Sequence, residues 1–179
     1  RTSLLSQAVP PTAVDADTVG RLPRPVRRYL LAAAGPRDRP MSTATLTQRG
    51  RMRETSASSW IPFTATQTLS LEPPAFLWVA DATMAGAVPV VVRDELLADR
   101  GRTRAVVAGL FAVADASGPE VDQGATLRFW GEVLAFSEAV TSPRLRWSEV
   151  DDDHARLHVG AAGRELEATV DFDAAGKVS

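Results

Sequence analysis

Two glutamines are the residues of this sequence best placed to meet a ligand. Gln48 and Gln67 each sit midway along a segment of alternating polarity, on its otherwise apolar side. A buried primary amide that lacks partners costs about 1–3 kcal/mol. Each glutamine is therefore either bonded to a neighbour, the other glutamine or a water, or is a polar contact inside a cavity. Met52, Phe63, Phe76, Trp78 and Trp130 lie on segments that would line such a cavity, where aromatic and apolar side chains dominate; their ordinary role is core. A second polar group comprises Glu120, Asp122, Arg128 and Glu132. Asp122 stands where a helix N-cap is expected, and Arg128 and Glu132 have i, i+4 spacing. Cap and surface pair are their structural roles; a polar site is the alternative.

Other chemistries find little support. His154 and His158 are the two histidines, four residues apart on a segment with strand character, and no adjoining cysteine or carboxylate completes a metal site. Asp151-Asp152-Asp153 lacks the spaced ligands and glycine of a calcium loop and reads as a solvated turn. Phosphate-binding and dinucleotide-binding glycine patterns are missing, as is the Gly-x-Ser-x-Gly nucleophile elbow. The expectation is no cofactor and no metal.

The elements that would position these residues are mostly strands. From Ser42 the period is two: Ala44, Leu46, Gln48, Gly50 and Met52 alternate with threonines and arginines. Trp60–Leu71 alternates likewise, with Ile61, Phe63, Ala65, Gln67, Leu69 and Leu71 on one side. Further strands are predicted at Phe76–Asp81, Val88–Ala98, Arg102–Ala112, Leu145–Val150, Ala155–Val159 and Arg164–Phe172, with hairpin turns at Asp151–Asp153 and Gly160–Gly163. Ser117-Gly118-Pro119 is turn chemistry, followed by one long helix from Asp122 to about Ala135. Leu127, Trp130 and Leu134 share one helix face, and Phe129, Val133 and Phe136 a second, so the helix is apolar round most of its circumference. Two short helices precede the strands, one ending near Leu22 and one over Val26–Ala34 with Pro25 at its start. The fold class expected is α+β, mostly β: a strongly curved antiparallel sheet, open or closed into a lipocalin-like barrel, with the long helix in or across its concave face. A flat sheet with helices on one side is the alternative.

Composition sets the outer bounds. The 179 residues suit one domain, 13–179, preceded by a flexible arm, 1–12. A hydrophobic content of 45% supports a core, and a net charge of -2 gives no footprint for nucleic acid. Cysteine is absent, which excludes disulfides and thiol catalysis. No run reaches the roughly 18 apolar residues of a membrane span. The sequence opens on Arg1 and closes in a turn, so a continuation is expected at both ends. Membrane contact is then expected only through sequence outside this chain. The compartment is cytoplasmic for a biosynthetic protein, or the membrane surface for an anchored one.

Four segments resemble an uncharacterised bacterial family of unknown function. They are Leu22-Pro-Arg-Pro-Val-Arg-Arg-Tyr-Leu30, Trp60-Ile-Pro-Phe-Thr-Ala-Thr-Gln67, Pro73-Pro-Ala-Phe-Leu-Trp78 and Asp115-Ala-Ser-Gly-Pro-Glu-Val-Asp-Gln-Gly124, the last followed by Arg128 and Glu132. The resemblance runs from Leu22 through nearly the whole chain. It implies a curved-sheet carrier of lipoproteins or lipids, or a lipocalin-like barrel, by analogy of fold alone. The chain departs from the family pattern at Ala125, where a glutamate would complete a capping box with Asp122, at Trp130-Gly131 and at Phe136-Ser137. The helix is expected to lack that cap and to have gained a tryptophan.

Together these readings favour a binder of a hydrophobic small molecule or lipid, seated between curved sheet and helix. One alternative is a cofactor-independent cyclase or related biosynthetic enzyme acting on an apolar substrate through shape and a few polar groups. The other is an envelope-associated interaction module.

Overall fold

The computed structural model describes residues 16–33, 42–53, 55–161 and 163–178. The expected arm, 1–12, lies outside them. Thr43–Thr126 form one compact unit, and the two N-terminal helices join the residues from Leu127 onward in a second. The architecture is mostly β with antiparallel sheets, as the alternation predicts. The strands divide into a sheet of six and a sheet of three.

The first unit is a six-stranded meander: β1 (Thr43–Met52), β2 (Ile61–Ser70), β3 (Ala75–Met84), β4 (Val88–Leu97), β5 (Arg100–Val107) and β6 (Phe111–Ser117). In β1 the even-numbered residues are half-buried and Thr45, Thr47, Arg49 and Arg51 are exposed, the inside–outside pattern expected. In β2 that alternation gives way at the C-terminal half, where Thr68, Leu69 and Ser70 are buried on both faces.

Strand β6 corrects the sequence reading. Arg102–Ala112 was expected as one strand, with the next turn at Ser117-Gly118-Pro119. Instead Ala108-Gly109 turns the chain back, and Phe111–Ser117 pairs with β5, with a bulge beside Val106. Alanine is not a turn residue by habit, which hides the turn. Every residue of β6 is exposed, so the strand has no apolar–polar period to betray it. Three tight turns of two or three residues join strands in this sheet, and each holds two consecutive residues at positive φ: Ala85-Gly86 (49° and 76°), Ala98-Asp99 (50° and 60°) and Ala108-Gly109 (52° and 71°). Such primed turns match the twist of the strands they join. Left-handed alanine costs about 1–2 kcal/mol, so the hairpins are held by their ladders and not by their turn residues.

Helix α3 (Pro119–Val133) follows β6; α1 (Ala16–Arg21) and α2 (Arg24–Ala33) are the N-terminal helices. α3 starts at Pro119, whose fixed φ suits the first helical position, straight after Gly118 at φ 118°. Asp122 therefore lies inside the first turn and is not the cap. After the exposed Pro119, residues Glu120, Gly124, Leu127 and Gly131 mark a single exposed stripe, and the rest of the helix is buried or half-buried. The wide apolar circumference is as expected, but Leu127 falls on the exposed stripe and not beside Trp130.

The second unit holds α1, α2, a 3-10 helix (Ser137–Thr141) and the three-stranded sheet β7 (Leu145–Glu149), β8 (His154–Ala161) and β9 (Arg164–Asp171). α2 packs against the 3-10 helix and β8. Its Pro25, Val26 and Tyr29 are buried. The Tyr29 hydroxyl donates to the Leu134 carbonyl, and its ring lies 6.0 Å from that of Phe172. Arg24 donates to Asp152 at 2.6 Å, and Arg28 to Asp153 at 2.7 Å and to the Asp173 carbonyl at 3.0 Å. The Asp151–Asp153 turn is thus clamped by α2 through Arg24 and Arg28.

Candidate functional site

Register places the predicted ligand-binding residues of β1, β2 and β3 on one face of the six-stranded sheet. Gln48 lies opposite Ala65, Gln67 opposite Trp78, and Phe63 opposite Ala82. Three rows cross this face. The first runs Gln67, Trp78, Asp94, Thr103 over β2 to β5. The next runs Gln48, Ala65, Ala80, Val92, Ala105, Ala114 over all six strands. The third runs Gly50, Phe63, Ala82, Val90, Val107, Phe111. A polar row, a row of small side chains and a row of large apolar ones lie side by side.

A directed hydrogen-bond chain links Trp78 and Gln67 of the first row through Gln48 of the second. Trp78 Nε1 donates to Gln48 Oε1 at 2.6 Å, and Gln48 Nε2 donates to Gln67 Oε1 at 3.1 Å. Gln67 is 1% exposed while Gln48 is half-buried. The mutual bond between the two amides is the one the sequence raised. Gln67 anchors and Gln48 is the outer group, with a second amide N–H beyond the one given to Gln67. Thr103 Oγ1 donates to Asp94 Oδ1 at 2.7 Å in the first row. The sequence reading missed Asp94 and Thr103. The signal was there: Val90, Val92, Asp94 and Leu96 alternate with exposed residues, so a carboxylate sits on an apolar face.

The other predicted residues separate by role. Met52 and Phe63 are half-buried on this face, and the Phe63 ring meets Trp78 edge-on at 5.6 Å. Phe76 is fully buried in the row with Leu69 and Leu96, which makes it packing and not lining. Trp130 is 2% exposed, edge-on to Phe129 at 5.0 Å.

The polar group of Glu120, Asp122, Arg128 and Glu132 does not gather into one site. Glu120 is exposed. Asp122 is buried and accepts from the Gly101 backbone N–H at 2.7 Å and from Arg100 at 3.1 Å. Arg128 donates to Glu132 at 2.9 Å within the helix, as its spacing predicts. Ala125 is buried where a Cβ on Gly101 would lie 2.9 Å from its own, so it is a contact residue and not a lost capping position.

Two surface pairs show shifted groups. The Arg102 guanidinium holds the Asp115 carboxyl below its ordinary range. At the β8 turn, Asp151 accepts from the backbone of Asp153 and from His154, which lowers its pKa; the same side-chain bond raises that of His154. One expectation about the histidines needs correction: carboxylates do adjoin His158. His158, Glu165 and Glu167 offer ligand atoms within 4.8 Å of one another on β8 and β9, since strand pairing places Glu167 opposite His158. His158 Nε2 meets Ser148 Oγ at 2.8 Å, its Nδ1 lies 3.2 Å from Glu167 without a hydrogen bond, Glu165 pairs with Arg146, and Arg156 lies 3.8 Å from Glu167. The group is an ion-paired sheet surface.

A sequence model of a family of unknown function (DUF6544) matches residues 12–179, and the chain belongs to that family. No curated protein and no solved structure matches it.

Proposed function

We propose that the apolar face of the six-stranded sheet binds a hydrophobic small molecule or lipid bearing one polar group. The observation that carries this reading is the Trp78–Gln48–Gln67 chain set into an apolar face. Hydrophobic side chains would fill those positions without the desolvation that buried polar groups bring. A few aimed polar groups among apolar ones are what a small-molecule site needs. In the neighbouring row Ala65 and Ala80 are buried, and the accessible small side chains are Ala105, half-buried, and Ala114, exposed, toward β6. In this reading the sheet serves as the wall of a lipocalin-like carrier.

A dansylated undecanoic acid is the probe. Saturable binding with a blue shift of dansyl emission is expected. Ala105→Phe, which fills the small row at a half-buried position, abolishes it while the fold persists. Gln48→Leu weakens it about tenfold, the worth of one hydrogen bond. Absence of saturable binding, or binding indifferent to Ala105→Phe, overturns the reading.

Asp94 favours a second reading, a cofactor-independent enzyme on the same face with this carboxylate as its acid–base group. Asp94→Asn would then leave dye binding intact and remove turnover in a screen of apolar substrates; unchanged turnover excludes the role.

A further inference from the structure

Meander topology sends the β1–β2, β3–β4 and β5–β6 hairpin tips to the same end of the six-stranded sheet. Antiparallel neighbours lie about 4.8 Å apart, so successive tips stand roughly 10 Å from one another in a row. Each tip ends in large apolar side chains that face solvent. Trp60 is 54% exposed on the first, Met84 is exposed on the second, and Leu110 and Phe111 are 80% and 65% exposed on the third. Water-exposed aromatic and aliphatic residues at three consecutive tips are an unusual concentration for a free surface.

Charge is distributed just as unevenly. The described residues 49–53, 55–64, 81–92 and 105–114, which make up this end, include Arg49, Arg51 and Arg53 and a single carboxylate, Asp81, level with Arg49. Glu54 adds one in the sequence and lies outside the described residues. Other acidic residues of the sheet, among them Glu72, Asp94, Glu95 and Asp99, lie toward the opposite end. Arg53 stacks over the Trp60 ring at 4.5 Å, an amphipathic pair with an apolar body and a cationic head. Turn chemistry agrees: Ala85-Gly86 and Ala108-Gly109 take the left-handed positions that Asn or Asp fill more readily. At the other end Ala98-Asp99 carries the acid. A groove of about 630 Å³ separates the first two tips, lined by Trp60, Ile61, Met84 and two serines.

We propose that this end of the sheet docks onto an anionic lipid surface. Trp60, Met84, Leu110 and Phe111 enter the boundary between headgroups and acyl chains, and Arg49, Arg51 and Arg53 meet lipid phosphates. Tryptophan and arginine are suited to that boundary, the one by its amphipathic ring and the other by its charge. Separate protrusions in a row can each part lipid headgroups, whereas a protein partner would have to supply a matched pocket for every tip. The inference stands apart from the ligand face: of its residues only Phe111 lies in a row of that face, and it survives the failure of the dansyl titration.

Flotation with large unilamellar vesicles tests it. Binding is expected to phosphatidylcholine vesicles containing about 30 mol% phosphatidylglycerol, more weakly to pure phosphatidylcholine, and to fall as salt rises. Leu110→Asp with Phe111→Asp should lower the bound fraction at least about tenfold, since charged residues are costly below the headgroups. Arg49→Gln with Arg51→Gln should remove the preference for anionic lipid. Blue-shifted tryptophan emission on binding should vanish in Trp60→Phe. If the double aspartate variant fails to fold, Met84→Asp on a separate tip carries the same expectation. Vesicle binding that is absent, or equal in the tip variants, overturns the proposal. So does a stable dimer lost in those same variants, because the tips would then cover one another.

Discussion

Gly101 and Asp122 are joined across the turn from β5 to the first turn of α3: the glycine backbone N–H donates to the buried carboxylate at 2.7 Å. A side chain at Gly101 would place its Cβ 2.5 Å from the Val121 carbonyl oxygen and 2.9 Å from Ala125 Cβ. Backbone lies there, and backbone does not yield as a flexible side chain does. Gly101→Ala should cost at least about 1–3 kcal/mol from overpacking. Urea denaturation measures it; a loss under about 0.5 kcal/mol, the range of an ordinary surface substitution, would mean the helix moves freely away.

Asp122→Ala should be nearly as damaging, at about 2–3 kcal/mol, because it strips a charge-assisted bond from a buried N–H. Arg100 also reaches this carboxylate, at 3.1 Å, but its side chain is largely exposed. Exposed ion pairs contribute about 0–1 kcal/mol, so Arg100→Gln should change the denaturation midpoint little. Equal losses for both variants would show that the ion pair, and not the backbone bond, fixes the helix.

Trp130→Ala should cost about 3–5 kcal/mol, as for a large core aromatic. Trp130 is buried against Phe129. A clearly smaller loss, with weaker dansyl-acid binding, would instead identify it as cavity lining.

The β8 turn should be most stable between two titrations. Its bond to Asp151 raises the His154 pKa above 6.5. That contribution is fully present below about 6.5, the unfolded value, and is lost as pH rises through the folded one. The Asp151 pKa is held below 3.8 by the Asp153 backbone bond and by His154. Its contribution is present above the unfolded value and is lost as pH falls through the folded one. Melting temperature should therefore fall on the alkaline side in the parent and less so in His154→Gln. Parallel pH profiles for the two would remove this turn as the cause.

The Arg24 and Arg28 clamp on the same turn can be read separately. Arg24–Asp152 is exposed on both sides, so Arg24→Gln should cost no more than about 1 kcal/mol. Arg28 also binds two backbone carbonyls. Arg28→Gln should therefore cost more, by about one further hydrogen bond. The order of the two melting temperatures decides it.

Alternation made β1, the first half of β2 and most of β4 legible, because there every second residue faces water. The Gln48–Gln67 bond was legible as an option, since both amides lie on apolar sides of adjacent strands. β6 was not, because alternation needs one dry face and β6 has none. Asp122 was misread for a different reason. A carboxylate after Gly-Pro resembles a cap, and only the approach of Gly101, 21 residues away in sequence, gives it a buried role. His158 and Glu167 meet through register across a hairpin, which spacing along one strand cannot reveal.

β2 changes character along its length, and that change divides the strand's evolutionary freedom. At Pro62 and Thr64 one face meets solvent, and a substitution there has only backbone geometry to respect. At Thr68 and Ser70 no face does. A saturation scan read as a fitness map should therefore show permissive and intolerant positions alternating at the start of the strand. At its end the map should close into one unbroken intolerant block, polar residues included.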